Sequence, residues 1–308
     1  MDIIVLYGII LFHGLMKTLK AIWELMRLEH GVMIAIAIIV GAIIAKQEIP
    51  SLVTFILTFG TALFLEASTF ALNDYFDIEI DKNNKRVDRP LVRGDLSPNS
   101  ALLIFFICFP LGILSAYFVN LTCFLIALVT AGFAVVYDVW MKKIKLLGNF
   151  FIAYIMAIPF VFGGAMMLDV NAFALNLSPA IIIIALIAFL AGVGREMMKD
   201  VMDFKGDKKL GVRSFPRYIG IRWSNALAAV FYLIAIVLSF IPFLYPLYSL
   251  YYLNYYYLLV VVITDVMLLF IVIQLLIKGD PDLSFHRKFS LFALFFGLIA
   301  FLLGAFTG

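Results

Sequence analysis

Charge is scarce in this chain. Lys, Arg, Asp and Glu make up 14% of its 308 residues, while 65% are apolar; an average soluble domain is about 25% charged and about half apolar. That balance excludes a water-soluble enzyme and a disordered segment. Cysteine is nearly absent. Cys108 and Cys123 both lie inside apolar runs, which rules out a disulfide scaffold or a cysteine-based zinc site and leaves two packing residues. A basic start is missing too. Asp2 stands where a cleaved signal peptide would carry positive charge, so residues 1 to 16 are expected to form a short interfacial helix instead. Alternation of apolar and polar residues is also lacking in runs such as Ile181 to Leu190, which excludes a membrane barrel and points to transmembrane helices.

Nine such helices can be placed. The first ends near Ala45 and must begin between Ala21 and His30, because Gly31 to Ala45 alone is too short to span. The others are expected over Ser51 to Leu72, Ala101 to Val119, Leu121 to Trp140, Leu146 to Met167, Pro179 to Met198, Trp223 to Phe243, Tyr252 to Ile277 and Phe289 to Phe306. Alternate connections then collect all but Lys46 of the 23 Lys and Arg on one side. Basic loops face the cytoplasm, so the N-terminus and the charged loops are assigned there, the C-terminus outside. The expected architecture is an all-α integral membrane bundle of nine helices around a central cavity, a single domain over 1 to 308, with segments 73 to 100 and 199 to 222 as its catalytic cap.

The acidic residues are clustered. Asp74, Asp77 and Asp81 end the second helix, and Asp200, Asp203 and Asp207 end the sixth with the same spacing. Steps of three and four residues place side chains on one face of a helix, and Asn73 joins the first set. An even number of crossings puts both clusters on one side of the membrane. Several carboxylates facing one space repel by roughly 3 kcal/mol per pair at about 5 Å and an effective dielectric near 20, so cations belong to the design. Oxygen donors without His or Cys suit Mg²⁺, which takes one or two carboxylates and completes its shell with water and phosphate oxygens. Asn73, Asp77, Asp81, Asp200, Asp203 and Asp207 are the metal candidates, and the six aspartates the catalytic ones. Ordinary solvated helix ends would explain one such cluster; two with equal spacing on one side read as a diphosphate clamp. Among the basic residues of that side, Arg27, Arg86, Lys142, Arg195 and Lys199 are candidates for substrate phosphate, while the rest serve membrane orientation.

Asn73-Asp74-Tyr75-Phe76-Asp77 through Asp81 resembles the first motif of the UbiA-type intramembrane prenyltransferases, and Lys199 to Asp207 resembles the second. Tyr137, Lys142 and Gly148-Asn149 are similar to that family's connection between its fourth and fifth helices. The resemblance implies Mg²⁺-dependent transfer of an isoprenyl group from a prenyl diphosphate to a lipophilic acceptor, with two ions held by the motifs and Asn73 and Tyr137 among the substrate contacts. Two acceptor classes stay open. Asp88-Arg89-Pro90-Leu91 and Lys199-Asp200 look like the branch that builds archaeal ether lipids on a glyceryl phosphate, whereas Val92-Arg93-Gly94 departs from it and tilts the expectation to an aromatic quinone precursor. A prenyl diphosphatase and a transporter are the remoter readings, with Glu66 and Asp265 as intramembrane charges of unassigned role. No nucleic acid and no obligate protein partner is expected.

Overall fold

The computed structural model describes residues 3–83, 86–141, 144–168, 177–209, 211–278 and 283–308, and among these all regular structure is helical. The chain opens with α1 (Ile3–Met26) and α2 (Gly31–Lys46), followed by α3 (Leu52–Asn83) and the single turn α4 (Pro90–Arg93). Next come α5 (Pro98–Val119), α6 (Leu121–Val136), α7 (Lys145–Ala165) and α8 (Pro179–Lys209). The last elements are α9 (Phe215–Ser239), the short α10 (Ile241–Leu244), α11 (Tyr255–Lys278) and α12 (Leu283–Thr307).

Among the described residues eight helices are long and apolar enough to cross a membrane, and a ninth crossing is available if the bent pair Phe12–Met26 and Gly31–Lys46 acts as one. The pair differs from the expectation. Helix α1 is continuous from residue 3 to Met26 and does not stop at residue 16, and no α-helix starts between Ala21 and His30. Arg27 takes the left-handed conformation (φ 51°, ψ 43°), a 3₁₀ turn follows, and the axis bends by 48°. At 1.5 Å per residue, the 16 residues of α2 reach about 24 Å, short of a bilayer core of about 30 Å. The end of α1 has to supply the difference.

Helices α3 and α8 run past the apolar stretch to Asn83 and Lys209, so both aspartate clusters lie on regular helix. The one-face arrangement that the spacing implied therefore exists. Helix α7 packs on α2 and α8, α8 on α9, α11 on α9 and α12, and α12 returns to α2 and α8; α3, α5 and α6 complete the bundle. Large apolar side chains such as Phe106, Phe133, Val237 and Leu259 point outward, as a lipid-facing surface requires.

Where lipid offers no hydrophobic drive for helix association, close backbone approach does the work. A Cβ built on Gly41 would run into the carbonyl oxygen of Phe160, and one on Gly163 into that of Ile38. The α2–α7 crossing thus depends on two glycines. Gly163→Ala is expected to destabilise the bundle by about 2 kcal/mol or more through overpacking, read as a lower unfolding midpoint in detergent. Gly132→Ala, with nothing within 4 Å of the added methyl, should leave it unchanged.

Candidate functional site

The first acidic wall is built by the last turns of α3. Asp74 is almost fully buried (2% exposed) and lies between two guanidinium groups, Arg27 Nη2 at 2.9 Å from Oδ1 and Arg89 Nη1 at 3.4 Å. Asn73 Nδ2 also donates to Asp74 Oδ1 at 3.4 Å. Arg27 reaches its partner from the bend after α1, with its guanidinium 3.9 Å above the Phe70 ring. Arg89 is the cap residue of α4, followed by Pro90 at the first helical position, where proline's fixed φ suits a helix start. From there its Nε lies 3.7 Å from Asp81, so one arginine bridges the two ends of the wall. Asp77 is half-buried on the same helix.

The second wall depends on α7. Lys145, the first residue of α7, places Nζ 2.7 Å from Asp207, 3.6 Å from Asp203 and 3.8 Å from Asp200. Asp200 is buried and accepts a 2.7 Å hydrogen bond from Asn149 Nδ2, while Asp203 keeps about half its side chain exposed (49%). Burial pushes the Asp207 carboxyl above the usual carboxylate range, against the pull of Lys145. Lys145 was overlooked in the sequence because its neighbour Lys142 matched the expected spacing; Lys142 itself lies outside the described residues.

Two groups connect the walls. Arg86 is held by Asp88 through a two-point contact, Nε to Oδ1 at 2.9 Å and Nη2 to Oδ2 at 2.8 Å, and its charge acts on Asp81 and Asp203 alike. That contact lowers the Asp88 carboxyl to about 2, so it is complete above the ordinary value of 3.8 and is lost only as pH falls toward about 2. Tyr137 opens a π-helical turn after α6 and interacts electrostatically with Asp77 from the first wall and with Asp200 from the second. A Cβ on Gly148 would sit 2.7 Å from the Tyr137 ring. Gly148 therefore makes room for Tyr137 while Asn149 holds Asp200, which gives the Gly-Asn pair its physical meaning.

Deeper on α8, Arg195 Nη1 and Lys199 Nζ both bind Glu196, at 3.0 Å and 2.6 Å, and Glu196 is buried. This anion was not anticipated. Glu66 contacts His30 at 3.2 Å, and Asp265 accepts a 2.7 Å hydrogen bond from Ser239; neither joins the walls. Among the described residues no three His, Cys, Asp or Glu side chains converge as a preformed metal cage.

Two acidic helix ends, each neutralised by cations from other elements and carried on an apolar bundle, mark the site of an integral membrane enzyme. The UbiA prenyltransferase family model matches residues 34–299, and the chain belongs to that family. A digeranylgeranylglyceryl phosphate synthase of Archaeoglobus fulgidus is 40% identical over 297 residues, covering 95% of this chain and 98% of that protein. A solved structure of a digeranylgeranylglyceryl phosphate synthase is 30% identical, with a TM-score of 0.75 over 94% of this chain and 99% of the other. A UbiA homolog from Archaeoglobus fulgidus, solved with DMAPP and Mg²⁺, shares the fold at 19% identity and a TM-score of 0.56, covering 91% and 98%.

The dependence of three carboxylates on one lysine can be measured. Lys145→Met leaves Asp200 and Asp207 without their cation, an expected loss of about 3 kcal/mol or more. The unfolding midpoint should fall several degrees in EDTA and recover in part with millimolar Mg²⁺. A variant as stable as the parent in EDTA would contradict this role.

Proposed function

We propose that this prenyltransferase moves a geranylgeranyl group from geranylgeranyl diphosphate to the free hydroxyl of geranylgeranylglyceryl phosphate, with Mg²⁺ as cofactor. The observation that carries the reading is the 40% identity over 95% of the chain to a digeranylgeranylglyceryl phosphate synthase. The product so named bears two geranylgeranyl groups on one glyceryl phosphate, and a single prenyl transfer makes it from an acceptor already bearing one. The aromatic acceptor favoured by Val92-Arg93-Gly94 gives way accordingly. Arg93 contacts Glu24 of α1 and Asp95, so that departure has a packing reason.

The residues suit Mg²⁺. Their donors are oxygens, Asp203 is open to solvent, and a cage complete without phosphate is absent among the described residues, as fits an ion that keeps waters and shares substrate oxygens. Asp77, with Asn73 beside it, and Asp203 would hold one ion per wall, with Asp81, Asp200 and Asp207 supporting them. When bound, the metal neutralises charge on the leaving diphosphate. Arg86 and Lys145 supply donors to its oxygens between the walls, and Arg27 and Arg89 hold Asp74 so that the first wall keeps its shape. In the transfer, the C1–O bond of the donor breaks and the diphosphate leaves with the electron pair. The acceptor oxygen bonds to C1 and gives up its proton, which the departing diphosphate takes up.

Beneath the walls, Tyr137, Phe151 and Tyr154 follow one another at centroid separations of 5.4 and 6.3 Å. Aromatic faces there favour an allylic cation and displace water that would quench it. The segments 73 to 100 and 199 to 222 form the cap of a single catalytic unit. The basic excess on their side supports assigning them and the N-terminus to the cytoplasm, with α1 up to residue 16 at the membrane surface.

Mass spectrometry of products from geranylgeranyl diphosphate and a panel of glyceryl phosphate and aromatic acceptors tests the reading. Digeranylgeranylglyceryl phosphate and intact diphosphate are expected; prenylation of the aromatic acceptors alone would overturn it. Asp77→Asn and Asp203→Asn should each cost at least about a hundredfold in kcat, and the pair together little more, as for groups that act as a unit.

A further inference from the structure

Helix α8 carries a second charged group that the diphosphate clamp does not use. Arg195 and Lys199 flank Glu196 one to two turns deeper than Asp203. Four and eight residues correspond to about 6 and 12 Å along the axis, and about 40° and 80° around it. The face of α8 therefore turns from acidic, toward Asn149 and Lys145 of α7, to basic on its other edge. Glu196 answers one of the two cations. The Nε of Arg195 is buried with no acceptor in the protein, and the field of Arg287 from α12 adds positive charge at Lys199. The cluster shares the space of the walls, since Tyr137 interacts with Glu196 as well as with Asp77 and Asp200.

A buried arginine donor left without an acceptor beside a surplus of positive charge suits an anion. The reaction supplies one that the walls do not hold. The acceptor hydroxyl has to reach C1, which lies on the membrane side of the diphosphate, and its own phosphate is only a few bonds from that hydroxyl. An acceptor phosphate is therefore expected beside the walls and deeper than the metal-bearing aspartates, where Arg195 and Lys199 are.

Resting on the ether-lipid reading above, we propose that Arg195 and Lys199 bind the phosphate of the glyceryl acceptor, with Glu196 as the internal anion that holds both cations when the acceptor is away. The pair would then set specificity for a phosphorylated acceptor. It would leave the prenyl donor untouched.

The test uses the full-length protein in detergent with geranylgeranyl diphosphate and either geranylgeranylglyceryl phosphate or the same acceptor lacking its phosphate. Arg195→Gln and Lys199→Gln should each raise KM for the phosphorylated acceptor at least about tenfold, the loss of one charge-assisted contact. Their preference for it over the unphosphorylated acceptor should drop by a similar factor, while KM for geranylgeranyl diphosphate stays within about twofold. Glu196→Gln keeps both cations and should lower KM for the phosphorylated acceptor only, which decides the matter if a Gln variant at 195 or 199 fails to fold. A rise in donor KM with acceptor preference unchanged would assign the pair to the diphosphate and overturn the proposal. Wild-type protein inactive on both glyceryl acceptors removes the proposed function and this inference with it; an active wild type whose variants keep the parental preference removes the inference alone.

Discussion

A carboxylate buried at the end of a membrane helix is tolerable only beside a cation, and both acidic helix ends of this chain obtain theirs from another element. Removing ionised groups from water costs several kcal/mol each unless a partner is close. Asp74 on α3 depends on Arg27 from the α1–α2 bend and on Arg89 from α4. Asp200 and Asp207 on α8 depend on Lys145 from α7. The strained backbone at Arg27 belongs to the same constraint. A left-handed non-glycine residue costs on the order of 1–2 kcal/mol, and a charge-assisted contact to a buried carboxylate offsets a cost of that size. The break also brings His30 onto Glu66 and Phe70. The bend that shortens α2 is thus the bend that completes the first wall.

The spans and both acidic motifs were legible because each has a period or a length that physics dictates: about twenty apolar residues for a crossing, and three- and four-residue steps for a common face. Partners brought together by tertiary folding left no such trace. Nothing in the order of residues distinguishes Lys145 from Lys142, or says that Asn149 donates to Asp200. The end of α1 and the start of α2 were misjudged because hydropathy locates apolar stretches and not the residue at which a backbone turns left-handed. Asp265 had no visible partner because Ser239, which binds it, lies 26 positions away on another helix.

The acceptor was the hardest feature to read, and the tilt toward an aromatic ring has a specific origin. Arg93 departs from the pattern of the ether-lipid branch, but its side chain contacts Glu24 and Asp95, and Lys17 of α1 joins Asp95 at 2.9 Å. That network fastens α1 to the segment after α3 and faces solvent. A substitution in such a fastener reports on how α1 is attached, while Asp88-Arg89-Pro90-Leu91 lies where the wall itself is assembled. Weight belonged with the stretch nearer the chemistry.

Near balance of charge leaves the two acidic helix ends with little net field of their own. The carboxylates of Asp74, Asp77, Asp81, Glu196, Asp200, Asp203 and Asp207 are nearly matched by Arg27, Arg86, Arg89, Lys145, Arg195 and Lys199, and Asp88 takes up part of Arg86. Such a site has little net attraction for a diphosphate by itself. Two anionic head groups about 6 Å apart would repel by roughly 3 kcal/mol per pair of unit charges at an effective dielectric near 20. Fixed arginines alone could lower that repulsion only by overcharging the empty helix ends, which would destabilise the bundle between turnovers. Acidic walls that took up divalent cations together with a diphosphate would avoid this: the positive charge would be present while the diphosphate is, and would depart with it.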